Sequence, residues 1–491
     1  MSESRYSTVL VRTLGACLVV LLLLLACRDA ERTTAPPIVT RPATQTIGLA
    51  PEALVGQWSP VYPAPVVQLH LHLLPDGRVL SWGHAGVPQV WDPASGTFAA
   101  VPSPSLEFCA GHTFLPDGRL LVVGGHQGNA LGLPNTNVFD AGTTSWQAVA
   151  AMAEGRWYPT ATTLPSGEVV TIAGTDQSGA VVPIPEVWDG TSWRQLTTAS
   201  LNLPWYPRTF VAPDGRVFYA GEQQQSRYLD VTGTGNWTDG PLRMYGTRDY
   251  GSAVMYAPGK ILYVGGGDPP TSTAEIIDLN LPTPTWTYTS PMAFPRRHLN
   301  ATVLPTGDVL VTGGTSGPGF DNPMGAVHAA ELWSPATGIW TVMASNAVDR
   351  IYHSTSLLLP DGRVLHTGSG DGGDGSPDQL SYELFSPPYL FQGARPSITG
   401  ATPDTVGYGQ TVSVGTPDGA GIAKVTFIRL GSVTHAFDEA TQLVPLSFSQ
   451  ATGGLSVILP ASRTTAPPGP YMLFLVNGSG VPSVARIMRL R

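Results

Sequence analysis

A Pro-x-Gly-type turn, followed by a β-rich run that ends in glycine, recurs seven times in this chain. The copies begin at Pro75 (PDGRVLSWG), Pro116 (PDGRLLVVGG), Pro165 (PSGEVVTIAG), Pro213 (PDGRVFYAG), Pro258 (PGKILYVGGG), Pro305 (PTGDVLVTGG) and Pro360 (PDGRVLHTGSG). Their spacing of about 40–55 residues is the period of a propeller blade. In each Pro-Asp-Gly, proline fixes φ and glycine supplies the positive φ of a hairpin. The Val/Leu/Ile run that follows reads as a buried strand.

A second signal accompanies the first. An apolar-acidic pair precedes an aromatic residue: Trp91-Asp92 then Phe98, Phe139-Asp140 then Trp146, Trp188-Asp189 then Trp193. Later copies give Asp230 then Trp237, Asp278 then Trp286, and Trp333 then Trp340. These mark the third and fourth strands, with the aromatic residue between blades. The seventh copy, Tyr382-Glu383-Leu384-Phe385, has no following Trp, and Trp58 can supply it. An N-terminal strand would then close the ring and leave few free edges. The expectation is an all-β chain: a seven-bladed β-propeller of the kelch kind over 53–390. From 391 to 491 the repeat stops, and short apolar strands at 411–414, 424–429, 455–459 and 471–476 predict an immunoglobulin-like β-sandwich.

Composition limits partners and compartment. Charged residues make up 12%, apolar residues 42%, and the net charge is −9. The basic residues are almost all Arg and form no run, which excludes a nucleic-acid surface. Arg5 and Arg12 precede an apolar stretch too short to span a bilayer comfortably, ending in Leu24-Leu25-Ala26-Cys27. Residues 1–27 therefore read as a lipoprotein signal peptide with a lipobox, and Thr/Pro-rich 28–52 as a linker. The chain is expected outside the cytoplasm, secreted or held to the bacterial membrane by lipid on Cys27 alone (the outer membrane in a Gram-negative cell), and monomeric.

That leaves Cys109 as the one cysteine of the folded body. By itself it reads as a buried, inert thiol. Aligning the repeats changes its setting. The residue seven before each hairpin proline is Gln68, Cys109, Tyr158, Tyr206, Gly251, His298 and His353. In a propeller this position lies near the start of each innermost strand, so the column converges on the axis. A wet channel accounts for polar residues there, but less well for the lone thiol among tyrosines and histidines. Imidazole nitrogen and phenolate oxygen suit copper(II). The sequence has no Cys-x-x-Cys, His-Glu-x-x-His or P-loop to support a zinc hydrolase or an NTPase.

The motifs in this column resemble those of the copper-radical oxidases, the group containing galactose oxidase and glyoxal oxidase. Phe108-Cys109-Ala110-Gly111 is similar to the family's Phe-Cys-x-Gly, and Arg156-Trp157-Tyr158-Pro159 to the glyoxal oxidase form of the tyrosine segment. Tyr352-His353 resembles the family's Tyr-His pair, Thr434-His435 its second histidine ligand, and Val481–Ala485 its closing strand. The resemblance covers about 53–491. It implies one copper ion held by Tyr158, Tyr352, His353 and His435. It implies a Cys109–Tyr158 thioether that carries a tyrosyl radical, and Tyr352 as general base. The reaction implied is oxidation of a small alcohol or aldehyde by O2, giving the aldehyde or acid plus H2O2. The tryptophan that stacks on the cross-linked tyrosine in galactose oxidase is replaced by Asp176, so Trp157 or Trp205 is expected to shield the radical. Pocket positions are expected at Trp157, Asp176, Tyr206 and His298. No arginine near Trp205-Tyr206-Pro207 matches the one that holds the sugar in galactose oxidase, which argues against galactose as the substrate, and Arg156-Trp157-Tyr158-Pro159 with Ser386-Pro387-Pro388-Tyr389-Leu390-Phe391 resembles the glyoxal oxidase branch. The alternative is a non-catalytic kelch-propeller surface protein that binds glycan or protein.

Overall fold

The computed structural model describes residues 50–372, 375–400 and 403–491. The expected signal peptide, the lipobox at Cys27 and most of the linker lie outside the described residues. Glu52–Val55 forms one helical turn.

Six blades have four antiparallel strands taken in chain order, the first of them within a six-stranded sheet. Their innermost strands are His70–Leu73, Gly111–Phe114, Thr160–Thr163, Arg208–Val211, Ser252–Ala257 and Asn300–Val303. The seventh blade takes Ser354–Leu358, Val364–Gly368 and Ser381–Ser386 from the end of the propeller. Its outer strand comes from the N-terminus: Gln57–Trp58 pairs with Ser381–Ser386, setting Trp58 opposite Phe385. The ring is closed by residues more than three hundred positions apart, which completes the seventh blade with an outer strand.

The outer aromatic residues bind blade to blade. Four indole Nε1 groups donate to a backbone carbonyl at the end of the preceding blade: Trp146 to Val101, Trp193 to Ala150, Trp237 to Ala199 and Trp340 to Ser290. Trp58 does the same to Ala344 at 2.8 Å, and so completes the set for the seventh blade.

A second recurring element sits just ahead of the axis. Arg156, Arg248, Arg296 and Arg350 pair with Glu186, Glu275, Glu331 and Glu383, and all eight side chains are fully buried. Each guanidinium also donates to the carbonyl that ends the second strand of its blade: Ala173, Gly265, Gly313 and Gly368. Buried charges need such complete pairing. These arginines fix the backbone bend that delivers the axial residues.

Residues 403–491 form a sandwich with strand order Thr405–Val406, Arg486–Leu490, Gly469–Asn477, Ile422–Arg429, Leu443–Ala451, Gly454–Ile458 and Thr411–Gly415. Its core includes Val414, Phe427, Leu455, Val457 and Leu473. Strands Leu443–Ala451 and Arg486–Leu490 were not among the expected ones. The first carries Pro445, which argues against a strand, but here Pro445 is exposed and opposite Thr426. Arg429 donates to the Phe114 carbonyl at 2.7 Å and locks the sandwich to the propeller.

One hairpin leaves the sandwich for the axis. Ser432–Thr434 pairs with His70–Leu73 and so adds a strand to the first blade, and Phe437–Asp438 returns beside it. His435 and Ala436 form the two-residue tip, with φ of 44° and 66°. Positive φ at both positions is the type I′ arrangement, which favours Asn-Gly. Two side-chain-bearing residues here mark strain held by the surrounding structure.

Candidate metal centre

The axial residues occupy a special backbone position. Cys109, Tyr158, Tyr206, His298 and His353 all have positive φ, between 47° and 66°. Each directly precedes or nearly precedes an innermost strand, and the left-handed turn aims its side chain down the axis. In the fifth blade this position is Tyr250 (φ 51°), not Gly251. The turn explains the slip. In Pro258-Gly259 the proline stands directly before the turn glycine, not two residues before it as in the other blades, so it comes one residue later. Counting back seven then lands one residue too far along.

Four donor side chains converge. The hydroxyls of Tyr158 and Tyr352 lie 2.5 Å apart, and His353 Nε2 is 3.4 Å from the Tyr158 hydroxyl. The ring centroids of His353 and His435 are 4.7 Å apart, and Tyr158 lies 4.4 Å from His435. Both histidines have Nδ1 engaged by the surrounding protein. His353 Nδ1 donates to the Gly370 carbonyl at 2.5 Å, which leaves Nε2 as a lone pair. His435 Nδ1 is bonded to the Thr434 hydroxyl at 2.6 Å, and its Nε2 is buried with no partner. Burial drives His435 well below the usual histidine range and His353 to about 3, so both rings are neutral. Neutral imidazoles with Nδ1 occupied and Nε2 free are the form that ligates metal.

The set of two imidazole nitrogens and two phenol oxygens fits copper(II). Among the described residues no group of three or more His, Cys, Asp or Glu is arranged to hold a metal, so a donor set here has to include the phenols. The otherwise costly orphan at His435 Nε2 is accounted for by a metal ion.

Around this set the structure is aromatic. Trp157 lies flat on Tyr158, centroids 3.6 Å apart and planes 7° from parallel. Trp205 meets Tyr158 edge-on at 5.6 Å. Cys109 is fully buried in one cluster with Phe108, Trp157, Tyr158 and Tyr206. Burial pushes its thiol well above the usual range, opposed by a hydrogen bond with Tyr158. A cavity of about 450 Å³ opens above, lined by Phe108, Trp157, Trp205, Tyr250, Phe320 and Tyr352 with His84, His126 and Asn129.

Residues 395–490 match the family described as "Galactose oxidase-like, Early set domain", and 268–389 match "Glyoxal oxidase N-terminus". A galactose oxidase of Gibberella zeae is 29% identical over 498 residues, covering 90% of this chain and 71% of the relative. The aldehyde oxidase GLOX of Vitis pseudoreticulata is 30% identical over 441 residues, covering 78% of this chain and 82% of the relative. The chain belongs to the copper-radical oxidase family. A solved fungal alcohol oxidase of the AA5 family, in complex with copper, superposes on this copper-radical oxidase with a TM-score of 0.82 at 26% identity, over 89% of this chain and 99% of that one.

The remaining expected pocket residues of the oxidase divide. Trp157 lines the cavity. Tyr206 sits behind the centre, its hydroxyl donating to the Ala110 carbonyl at 2.9 Å and its ring 4.5 Å from His435. His298 packs 5.1 Å from Tyr352, with Nε2 on the Phe320 carbonyl. Asp176 is away from the cavity. Its carboxylate accepts from Ser178 N–H, the Ser178 hydroxyl and Ala180 N–H, and so serves its own loop. Matching one position by distance along the chain missed this, because the stacking ring arrives from the neighbouring residue Trp157. Tyr250, Phe320 and the histidines 70, 72 and 112 were also missed. The pattern His70-Leu71-His72 in an innermost strand, and His112 three residues from Cys109, were the available signals.

Proposed function

We propose that this chain oxidises small, uncharged alcohols or aldehydes with O2, giving the aldehyde or acid and H2O2. The overall reaction is RCH2OH + O2 → RCHO + H2O2, and a hydrated aldehyde gives the acid in the same way. The observation that carries this reading is the convergence of Tyr158, Tyr352, His353 and His435, with Nδ1 of each imidazole engaged, His435 Nε2 unpartnered and Cys109 against Tyr158. Copper, when bound, supplies a position for the substrate oxygen, a one-electron couple, and the return of electrons to O2.

The side chains do the rest. Tyr352 takes the hydroxyl proton of the substrate as general base. Tyr158, joined to Cys109, takes a hydrogen atom from the adjacent carbon as its radical form is quenched. The joining step removes the Cys109 S–H hydrogen and one hydrogen of the Tyr158 ring, and forms one S–C bond. Two electrons and two protons pass to O2, giving H2O2. Trp157, stacked flat on Tyr158, excludes water from the ring that would hold the radical. Among the described residues no carboxylate or guanidinium lines the 450 Å³ cavity, which favours neutral substrates over charged acids. The apolar leader and the Leu24-Leu25-Ala26-Cys27 run support a lipid-anchored, extracytoplasmic enzyme.

A peroxide-coupled assay of copper-loaded protein tests this. Neutral substrates such as glycolaldehyde, methylglyoxal and simple primary alcohols are expected to give H2O2. Chelation before loading is expected to remove the activity. Peroxide from none of these, at full copper loading, contradicts the proposed substrate class.

A further inference from the structure

The axial positions are linked blade to blade through the backbone. The N–H of Tyr158 donates to the Cys109 carbonyl, that of Tyr206 to Tyr158, and that of His298 to Tyr250, each at 2.9 Å. Cys109 has no such bond, and neither do Tyr250 and His353. The matching residue of the first blade, Gln68, is not left-handed, and its carbonyl accepts from the Thr355 hydroxyl at 2.7 Å. The buried Cys109 N–H donates instead to His70 Nε2 at 3.0 Å.

This bond sets the order of protons in a buried chain. His70 Nε2 accepts, so His70 Nδ1 carries the hydrogen and donates to His112 Nε2 at 3.0 Å. His112 Nδ1 then donates to the Ser432 hydroxyl oxygen at 2.7 Å. His72 Nδ1 meets the same oxygen at 2.9 Å. Trp82 stacks on both His70 and His72, with centroids 4.9 Å and 4.5 Å away, and holds the rings in place. Ser432 begins the hairpin that has His435 at its tip.

We propose that His70, through His112 and Ser432, is a positioning relay that fixes the backbone of Cys109 for bonding to Tyr158 and couples it to the hairpin carrying His435. None of the three touches the reacting atoms. His70 stands in for the carbonyl that the first blade does not offer. Without it, the Cys109 N–H is buried with no acceptor, and the left-handed turn that aims the thiol loses its anchor. The proposal rests on the reading that Cys109 and Tyr158 become joined.

The test compares wild type, His70→Leu, His70→Gln and Ser432→Ala. Two readouts are taken: amide hydrogen exchange across 107–112 in copper-free protein, and the cross-linked fraction by intact mass during aerobic copper loading. His70→Leu is expected to lose protection at Cys109 and to slow cross-linking, each on the order of tenfold. His70→Gln, whose amide oxygen can accept the N–H, is expected to restore both. Ser432→Ala, a small change further along the relay, is expected to slow cross-linking several-fold and serves if His70→Leu does not fold. Wild-type cross-linking rates in His70→Leu, or a His70→Gln as slow as His70→Leu, overturn the relay. So does a wild-type rate in Ser432→Ala where His70→Leu is unfolded. A wild type that never cross-links overturns the functional reading instead, while exchange at Cys109 still reports on the relay.

Discussion

Replacing Tyr352 with phenylalanine is expected to lower turnover by about three orders of magnitude in a protein that remains folded and cross-linked. The ring has neighbours on every side. His353 stacks at 3.7 Å, Phe320 packs at 4.7 Å, His298 at 5.1 Å and Tyr250 at 5.6 Å. A phenyl ring fills the same space, so the change removes one oxygen and little packing. That oxygen is the group placed to take the substrate proton, 2.5 Å from the Tyr158 hydroxyl. The Tyr158 hydroxyl loses a partner, a cost of about 1–3 kcal/mol that a large propeller can absorb. Cys109 and Tyr158 are untouched, so their bond should still form. Steady-state rates, with intact mass as the control, separate the roles. Turnover within a few-fold of wild type would remove Tyr352 from the chemistry. Loss of the cross-link would mean that Tyr352 acts earlier, in building the site.

Arg350→Leu is expected to cost about 3–5 kcal/mol of stability, the largest effect of any single change away from the chemistry. Arg350 and Glu383 are fully buried and 3.2 Å apart. The guanidinium also donates to the carbonyls of Gly368 and Ser381, at 3.1 and 3.0 Å. Burial lowers the arginine to about 10 and the Glu383 charge opposes the fall, so the guanidinium stays charged. Removing the cation strands a buried carboxylate. The position lies two residues before Tyr352, so the same change should loosen the turn that presents Tyr352 and His353. Arg350→Leu combined with Glu383→Leu should recover much of the loss, because apolar pairs replace buried ion pairs at little net cost. Urea unfolding of the two variants measures this. A loss under about 1 kcal/mol in the single variant would mean that water reaches Glu383 and the pair is not sealed.

Much of this architecture was legible from local chemistry. The proline-glycine turns mark hairpins because those residues alone satisfy the backbone there, and seven of them at a blade's period leave little choice of fold. Trp58 was readable as the missing outer tryptophan of the seventh blade, and its indole makes the same bond to the preceding blade as the other four. The self-alignment gathered Cys109, Tyr158 and His353 because one turn geometry repeats. It failed at the fifth blade, where the turn proline stands directly before its glycine, one residue later than elsewhere, and hides Tyr250. His435 carries no repeat signal at all. It reaches the axis on a hairpin from a different part of the chain, and only its resemblance to a known motif pointed to it. The histidines at 70, 72 and 112 were hidden for another reason. Their role depends on which nitrogen faces which donor, a relation between three strands that no single segment encodes. Asp176 erred in the opposite sense, since a stacking ring can be supplied from more than one place in the chain.

The thiol of Cys109 offers the most direct measurement. With the chain denatured before the reagent is added, because the folded thiol is buried, protein expressed without copper should alkylate fully at Cys109. After aerobic copper loading, alkylation should stop, the intact mass should fall by two hydrogens, and digestion should yield one peptide pair joining Cys109 to Tyr158. A Cys109 that still alkylates freely after full copper loading in air would contradict a copper-radical centre at this site.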